Sequence, residues 1–384
     1  MSCFEDLMNK DVGASNRILN LAINLKNFGH IVHIIIPGQR DEEFIVDGLI
    51  IHRIKGLIPT SFLMILSKLL GALKSTALYF FDPYFMFKSY NVLSHSEIVQ
   101  LEQPWSGLLF IPFIKTILKK PVVLDSHDVF QSMRLRNDNV VRRILETFFE
   151  KIGYLLADLV LVVSGNEKDI LIEEGFDGNK ILVVPNGVDI EAFSRSYGYK
   201  QNQIEISYGL KGFYKIIFVG NMEYLPNQEA AQIIISKIAP ELDDILGKCK
   251  FLLIGRCPIS LRKNSKNVIF TGVVEDVADY LNISNVAIAP LLRGSGTRLK
   301  ILEYFSCGLP VVSTSMGSKG LGVKNGVNIL IEDDLNRFAL RIKRLLTDNM
   351  ISKQLGTNAR NFVIEKYSWT KICDRLIEVY DNLS

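Results

Sequence analysis

The stretch Gly294-Ser-Gly-Thr-Arg-Leu-Lys-Ile-Leu-Glu303 links an apolar run at residues 286–290 to a segment with helical spacing. The apolar run has the length and composition of a buried strand. The two glycines after it predict a tight turn, and Gly308 and Pro310 predict the end of the helix and the entry into the next strand. A strand, a turn and a helix in this order form the repeating unit of a doubly wound α/β domain.

The same turn is suited to an anionic ligand. Backbone N–H groups and the positive end of the helix dipole converge at a helix N-terminus. Arg298 and Lys300 add two cations there, and the carboxylate of Glu303 can accept hydrogen bonds from ribose hydroxyls. A glycine turn alone would be a structural connection, but with these three side chains the segment predicts a nucleoside-diphosphate site.

Five further motifs stand beside apolar runs or helical segments. In chain order they read Gly13-Ala-Ser-Asn-Arg17, Leu124-Asp-Ser-His-Asp128, Val183-Val-Pro-Asn-Gly-Val-Asp189, Phe218-Val-Gly-Asn-Met-Glu-Tyr-Leu-Pro-Asn227 and Phe270-Thr-Gly-Val-Val-Glu-Asp276. Together with residues 294–303, these segments resemble the family-four retaining glycosyltransferases, enzymes of the GT-B fold. Each motif alone is weak, whereas six in the family's order are specific, and they extend over most of the chain.

The resemblance implies an α/β protein of two doubly wound Rossmann-like domains that face each other across a cleft. Residues 1–193 would form the N-terminal, acceptor-binding domain, and residues 213–369 the C-terminal domain that binds the nucleotide-sugar donor. Residues 194–212 are polar and rich in Tyr, Gln, Asn and Gly, which is typical of a linker. The last helix, at residues 370–384, is expected to cross back to the first domain.

Apolar runs that alternate with helical spacing predict parallel strands in both domains. The strands of the first domain are predicted at residues 31–36, 49–54, 98–101, 122–125, 159–163 and 181–184. Those of the second are predicted at residues 216–219, 251–254, 268–271, 286–290, 311–313 and 328–331. In the family a central first strand precedes the Gly13 motif, but residues 1–12 offer no convincing buried run. The first strand is therefore expected to be missing here or to lie upstream.

Doubly wound domains bind ligands at the carboxyl ends of their strands, and the resemblance assigns roles to the residues there. The implied donor-binding residues are Gly220, Asn221, Gly272, Val273, Val274, Gly294, Ser295, Gly296, Thr297 and Glu303. Catalytic roles fall to His127, Arg298 and Lys300. The implied acceptor or phosphate loop comprises Gly13, Ala14, Ser15, Arg17 and Asp128.

Two of these assignments have structural alternatives. A lone histidine such as His127 is often just a satisfied polar residue. Its position after a strand and its match to the family's cleft histidine favour contact with the donor sugar near the reacting carbon. Asp128 can equally cap the next helix.

The chain departs from the family at the first of two glutamates that stand eight positions apart in many relatives. Glu303 matches the second glutamate, and Ser295 stands at the position of the first. The hydroxyls of the donor sugar would then be held otherwise, by backbone amides of Ser295, Gly296 and Thr297.

A second departure concerns positive charge. Many relatives carry an arginine and a lysine in the loop after the first strand of the second domain, where this chain has Asn221 and Asn227. The charge compensation for a diphosphate would accordingly shift to Arg298 and Lys300.

The mechanism that the resemblance implies is sugar transfer with retention of anomeric configuration. The acceptor attacks the face from which the diphosphate departs, and the diphosphate takes the acceptor's proton. Catalysis then depends on placement and on stabilisation of the leaving group. The sequence contains no Asp-x-Asp, which fits a metal-independent reaction without a cofactor, in which the nucleotide-diphosphate sugar is the substrate.

Composition is that of an ordinary globular protein. The 384 residues suffice for two domains, with 48% hydrophobic and 22% charged residues. The five cysteines are scattered without metal-ligand spacing, which suits a reducing cytosol. A net charge of +3 gives no indication of a nucleic-acid partner.

Residues 57–87 are the most apolar part of the chain, but prolines and charges interrupt them, so no membrane span is expected. Apolar residues recur at helical spacing within this region. They predict either a helix packed on its own domain, which is the commoner case, or an interfacial helix that rests on the inner membrane. The N-terminus lacks the basic start and apolar core of a secretory signal. We therefore expect a cytoplasmic protein, with a peripheral membrane position as the alternative.

The predicted reaction is transfer of a sugar to a glycan or lipid-linked acceptor, as in cell-surface polysaccharide biosynthesis. Two alternatives share the fold. A nucleotide-sugar epimerase would need no acceptor and would release an altered sugar nucleotide. A non-catalytic partner subunit would bind without turnover, in keeping with the missing first strand and first glutamate.

Overall fold

The computed structural model describes residues 13–58, 82–102, 107–127, 129, 140–194, 196–262, 266–294 and 297–383. The chain divides into two compact units. One comprises Met1–Asn186 together with Ile372–Ser384, and the other comprises Gly187–Lys371. The question of a first strand within residues 1–12 lies outside the described residues, as does most of the apolar region 57–87.

The first unit contains two sheets among its described residues. A parallel sheet has the strand order β4-β5-β6-β7, with β4 at Val99–Glu102, β5 at Val122–Ser126, β6 at Leu159–Val162 and β7 at Ile181–Val183. A second sheet has the order β1-β3-β2, with β1 at His33–Gly38, β2 at Glu42–Val46 and β3 at Leu49–Lys55. β1 and β3 are parallel, and β2 and β3 are antiparallel.

Strand β2, which forms a hairpin with β3, was not among the predicted strands. Its two-residue turn is Asp47-Gly48, and both residues have positive φ angles, 51° and 76°. An Asp-Gly pair is a common signal for such a turn. Every residue of β2 is at least partly exposed, so the strand lacks the apolar run by which the others are recognised.

Helices cover the first unit's sheets. They are Gly13–Asn27, Pro83–Leu93, Gly107–Phe113 with a π-helical continuation Ile114–Leu118, Val140–Leu156 and Gly165–Glu173. Leu101, Leu124 and Val160 from the parallel sheet pack with Phe85 and Phe110 in one buried cluster. The helix Trp369–Asp381 is grouped with this unit from Ile372 onward.

The second unit contains a six-stranded parallel sheet in the order β10-β9-β8-β11-β12-β13. The strands are β8 at Tyr214–Val219, β9 at Cys249–Ile254, β10 at Val268–Gly272, β11 at Val286–Ala289, β12 at Val311–Ser313 and β13 at Leu330–Ile331. The sequence order runs outward in one direction from β8 to β10 and in the other from β11 to β13. The reversal between β8 and β11 creates a switch point, where open α/β sheets bind ligands at the carboxyl ends of their strands.

The helices of the second unit are Tyr199–Ser207, Leu225–Ile233 with a π-helical continuation Ile234–Ile238, Ala239–Leu246, Val277–Ile283, Leu299–Ser306, Leu335–Thr347 and Asn349–Tyr367. The first of them lies where the polar composition predicts a linker. Its Gln201 donates to Asp279 at 2.7 Å, and its Glu205 pairs with Lys215 at the start of β8. These side-chain bonds explain how a polar segment folds onto the second unit, and the division between the units falls earlier, between Asn186 and Gly187.

All twelve predicted strands are present, with ends that differ from the predicted ones by about two residues at most. The predicted helix end at Gly308 is also confirmed. Gly308 has a φ of 63° and follows the helix Leu299–Ser306, and Gly356 of a neighbouring helix packs directly against its carbonyl. In the part of the chain that the structure describes, no helix has the length and apolar character needed to cross a membrane.

Candidate functional site

The switch point of the second unit places two backbone turns side by side. Gly220 follows β8, and Gly294 lies in the loop after β11. Gly255, which follows β9, has a φ of 122° and approaches Gly220 so closely that a Cβ there would overlap the Gly220 carbonyl oxygen. Only glycine satisfies both constraints. The strand ends are thereby held together with bare backbone exposed to a ligand.

The helix Leu299–Ser306 follows the Gly294 turn and is anchored by its apolar face. Ile301, Leu302 and Phe305 are fully buried. The Tyr304 hydroxyl accepts a hydrogen bond from the backbone N–H of Val219 at 2.8 Å, which joins the helix to the end of β8. This packing fixes the direction in which Lys300 and Glu303 extend.

Lys300 places a cation next to the β8 loop. Its Nζ donates to Asn227 Oδ1 at 2.7 Å and lies 4.3 Å above the ring centroid of Phe218. A Cβ at Gly220 would be only 2.8 Å from this Nζ. The helix therefore delivers an amine to the loop that carries Asn221 and Asn227.

Both Lys300 and Glu303 are costly to keep charged in the protein alone. Burial lowers the pKa of Lys300 to about 7, against the opposing charge of Glu303. Burial likewise raises the pKa of Glu303 to about 7, against the charge of Lys300. Among the described residues, no hydrogen bond or ion pair holds the Glu303 carboxylate. One turn of helix therefore presents an amine and a carboxylate whose ionisation a polar ligand would stabilise.

Arg298 has a different environment from the one that the sequence predicts. It precedes the helix, is 7% exposed, and donates from Nη2 to the Gly294 carbonyl at 2.9 Å. Its Nε and Nη2 also reach the Met316 carbonyl, at 3.3 and 3.2 Å. Burial lowers the pKa of Arg298. The guanidinium thus joins the loops after β11 and β12, and a diphosphate would meet a side chain already engaged by carbonyl groups.

The remaining donor-site predictions lie around the same strand ends. Gly272 ends β10 with a φ of 76°, and its carbonyl accepts from Gly255 N at 2.9 Å. Val273 is exposed, and Val274 is partly buried. The Asn221 carbonyl accepts from the side chain of Asn227 at 2.9 Å. Thr297 is partly buried, whereas Ser295 and Gly296 lie outside the described residues.

His127 follows β5 in the first unit and pairs with a residue that the sequence reasoning missed. Its Nε2 lies 2.6 Å from Oε2 of Glu102, the last residue of β4. β4 and β5 are parallel neighbours in which Glu102 stands opposite Asp125. In the sequence, the signal for Glu102 is an acidic residue directly after an apolar run. Only the pairing of β4 with β5 shows that this residue lies beside His127.

Arg17 is an interior residue, not part of an open phosphate loop. Its Nε and Nη2 donate to the two oxygens of Asp125 at 2.8 and 3.0 Å, and its Nη1 donates to Pro185 O and Asn186 Oδ1. Asp125 is fully buried, and this pairing raises the pKa of Arg17 despite its burial. The hydrogen bonds of the guanidinium therefore connect the helix Gly13–Asn27 to the carboxyl ends of β5 and β7.

Of the other residues of the predicted acceptor loop, the structure describes three. Gly13, Ala14 and Ser15 form the first turn of the helix Gly13–Asn27, and Ser15 is buried. Asp128 lies outside the described residues.

Glu102, Asp125 and His127 are the one group of potential metal ligands that come together among the described residues, with ligand atoms within 4.8 Å of one another. Both Asp125 oxygens accept from Arg17, and the Glu102 oxygens meet Gln100 and His127. A metal ion would have to displace the guanidinium from its bidentate pair, so these residues fit a hydrogen-bonded cluster better than a metal centre.

The second unit's strand order defines a Rossmann-like domain. Two family descriptions match the chain: "Glycosyltransferase Family 4" over residues 12–192 and "Glycosyl transferases group 1" over residues 214–348. The chain belongs to the group 1, family 4 glycosyltransferases and has their GT-B fold of two Rossmann-like domains.

Two relatives and one solved structure illustrate the similarity. A UDP-Gal:alpha-D-GlcNAc-diphosphoundecaprenol alpha-1,3-galactosyltransferase of Escherichia coli is 28% identical over 65% of this chain and 66% of its own length. A chitobiosyldiphosphodolichol beta-mannosyltransferase of Candida albicans is 23% identical over 71% of this chain and 64% of its own. The chain thus spans about two thirds of each. The crystal structure of Anabaena Alr3699/HepE in complex with UDP and glucose has a TM-score of 0.69, 15% identity and 97% coverage of both chains.

Lys300→Met is predicted to raise the unfolding temperature most at low pH. Burial lowers the pKa of the folded-state amine to about 7, below the ordinary 10.5 that applies to the unfolded chain. Between these values the unfolded chain binds a proton that the folded protein has lost, so stability rises with pH, and the destabilisation by Lys300 is complete below about pH 7. Thermal unfolding of both proteins should show a gain at about pH 6 that fades towards about pH 10.5.

Lys211→Met, a change at an exposed lysine of the same unit, is the matched control and should shift the unfolding temperature little at either pH. An equal shift for Lys300→Met at both pH values would contradict the buried-amine interpretation.

Proposed function

We propose that this chain is a retaining, metal-independent glycosyltransferase. It moves a sugar from a nucleotide-diphosphate sugar to a glycan or lipid-linked acceptor in cell-surface polysaccharide biosynthesis. The second unit binds the donor and the first binds the acceptor. The observation that carries the proposal is the position of Lys300 beside Gly220 and Asn227, with Glu303 one turn further along the same helix.

The assignment of the donor site to the second unit is supported by the charged groups of Lys300 and Glu303. A diphosphate at the switch point would lie against the backbone turns at Gly220 and Gly294 and beside the ammonium of Lys300. Binding of the diphosphate would offset the free-energy cost of keeping that amine protonated. The Glu303 carboxylate would accept hydrogen bonds from ribose hydroxyls, which supplies the partner that it lacks among the described residues. Arg298 would support the turn and add positive charge behind it.

The transfer step needs no bound cofactor and no protein nucleophile. An acceptor oxygen forms the new bond to the anomeric carbon, the bond from that carbon to the diphosphate oxygen breaks, and the diphosphate leaves with the electron pair. The acceptor's proton passes to the diphosphate. Lys300 and the helix dipole would stabilise the charge that develops on the leaving group. Retention is assigned here from the resemblance to the retaining enzymes.

The acceptor proposal draws on the relatives. By their names, the galactosyltransferase and the mannosyltransferase both act on sugars carried on a polyprenol-type lipid through a diphosphate. A chain that uses such an acceptor would work at a membrane surface. We propose cytoplasmic-face contact through residues 57–87, in line with their apolar character.

The decisive experiment mixes the full chain with UDP-, GDP- and dTDP-sugars, with and without a cell-envelope lipid fraction. Released nucleoside diphosphate that increases with lipid, and a product whose sugar keeps the donor's anomeric configuration by NMR, are expected. An altered sugar nucleotide would indicate an epimerase, and stabilising binding without turnover would indicate a partner subunit. Full activity in excess chelator is expected, and its loss, restored by a divalent cation, would exclude metal independence.

Glu303→Ala is predicted to weaken binding of the matching nucleoside diphosphate. Loss of hydrogen bonds to a charged group costs about 1.5–3 kcal/mol, which corresponds to about a tenfold to 150-fold rise in dissociation constant. Isothermal titration calorimetry measures it directly. Glu365→Ala, at an exposed glutamate of the second unit, is the control and should leave affinity unchanged. Unchanged affinity in the Glu303 variant would remove the ribose assignment.

His127→Ala is predicted to lower transfer strongly while leaving nucleoside-diphosphate affinity nearly intact, because that ligand lacks the sugar that the ring would contact. The transfer rate, diphosphate affinity and unfolding temperature should be measured on the same variant. His95→Ala, at an exposed histidine of the first unit, serves as control. A drop in unfolding temperature with a parallel fall in binding and rate would indicate a structural histidine, and full transfer would remove His127 from the site.

A further inference from the structure

One amide side chain in the second unit holds the Lys300 amine in place. The Oδ1 atom of Asn227 accepts a hydrogen bond from Lys300 Nζ at 2.7 Å, and its Nδ2 atom donates to the Asn221 carbonyl at 2.9 Å. A flipped amide would turn its N–H groups towards the amine and its oxygen towards a carbonyl oxygen, so the two bonds together permit one orientation. Asn227 thus connects the loop after β8 to the helix Leu299–Ser306.

The backbone around Asn227 is fixed as well. Asn227 lies in the first turn of the helix Leu225–Ile233, and its N–H donates to the Tyr224 carbonyl at 2.9 Å. A Cβ at Gly220 would lie 2.9 Å from Asn227 Cγ and 2.8 Å from Lys300 Nζ. The amide and the amine therefore lie together, directly against the turn that follows β8.

The hydrogen-bond partner that Asn227 offers to Lys300 is neutral. An amide oxygen accepts from the neutral amine and from the ammonium alike, because both forms carry N–H donors. Among the residues that the structure describes, no carboxylate forms an ion pair with Lys300. Burial lowers the pKa of Lys300 to about 7, the charge of Glu303 opposes this shift, and the charge of Arg298 adds to it. The amine is thus held in one place without being committed to its charged form.

We propose that Asn227 is a positioning residue, which holds the Lys300 amine at the carboxyl end of β8 and leaves its positive charge to an anionic ligand. An aspartate at this position would have nearly the same shape, but its carboxylate would form an ion pair with Lys300 and would repel a second anion. An asparagine orients the amine without that competition. The inference rests on the proposed function only for the identity of the ligand as a diphosphate.

The first test is an NMR titration of lysine side chains in the full-length protein, with the Lys300 signals assigned from their loss in Lys300→Met. In the unaltered protein the Lys300 midpoint is expected near pH 7. Asn227→Asp should move it to higher pH by ~1 unit or more, because an adjacent carboxylate favours the ammonium. The matched control is Asn336→Asp, since exposed Asn336 accepts from Lys237 Nζ at the same 2.7 Å. It should move the Lys237 midpoint much less, because solvent screens an exposed pair.

The second test is a double-mutant cycle, with inorganic pyrophosphate as the calorimetric probe. Asn227→Ala should weaken pyrophosphate binding about threefold to tenfold, which is the loss expected when one hydrogen bond no longer orients the amine. In the Lys300→Met protein the same change should cause no further loss, because Asn227 acts through Lys300. Asn336→Ala should have no effect in either background.

A Lys300 midpoint that is the same in Asn227→Asp would overturn the inference. Losses of pyrophosphate affinity that add in the cycle would also overturn it, since they would mean that Asn227 acts on the anion independently of Lys300. If the unaltered protein does not bind pyrophosphate, the charge of Lys300 is not available to an anion and the inference is again wrong. If Asn227→Asp does not fold, the cycle decides, because alanine is compatible with the helix.

Neither test uses a sugar, so the inference and the proposed function can fail separately. Coupled losses in a protein that never transfers sugar would support the positioning role of Asn227 and contradict the transferase. Sugar transfer by a protein in which the losses add would support the transferase and contradict the positioning role.

Discussion

The reversal of strand order between β8 and β11 is the constraint on which the second unit depends. Two adjacent parallel strands whose connecting helices leave in opposite directions cannot both have their carboxyl ends covered, so a crevice remains between them. The glycines at 220, 255 and 294 line this crevice with backbone, and a side chain at Gly255 would collide with the neighbouring turn. A Cβ at Gly220 would lie 2.8 Å from Lys300 Nζ, so the absence of a side chain there leaves room for the amine at the end of β8.

The two candidate sites differ in how their charged side chains are paired. In the first unit, Arg17 forms an ion pair with Asp125, and His127 lies within hydrogen-bond distance of Glu102. In the second, Lys300 has a neutral amide and an aromatic ring as neighbours, and Glu303 has no partner among the described residues. The first arrangement fixes a site before any ligand arrives, whereas the second leaves electrostatic free energy that a ligand with a diphosphate and hydroxyl groups can recover.

The sequence was sufficient for features that depend on neighbours along the chain. The buried strands are short apolar runs, and Gly308 ends its helix with the positive φ that glycine tolerates.

The sequence was insufficient where the partner of a residue is distant along the chain. Glu102 meets His127 because β4 lies beside β5, and Arg298 is engaged by the carbonyl of Met316, which belongs to the loop after another strand. Arg17 looked like a loop cation because nothing local indicates that Asp125 would capture it. The strand β2 was missed because it is half-exposed and lacks an apolar run.

The pKa values near 7 of Lys300 and Glu303 bear on how a donor would bind. A diphosphate would favour the protonated amine, so binding would draw a proton onto Lys300. Ribose hydroxyls that donate to Glu303 would favour the carboxylate, so binding would release a proton there. The two exchanges oppose each other, and the pair can become fully ionised with little net proton uptake. The amine and the carboxylate stand one helical turn apart, so each charge also stabilises the other once the ligand has filled the crevice and reduced the access of water. Under the proposed function, the same pair that weakens the free protein would strengthen the complex.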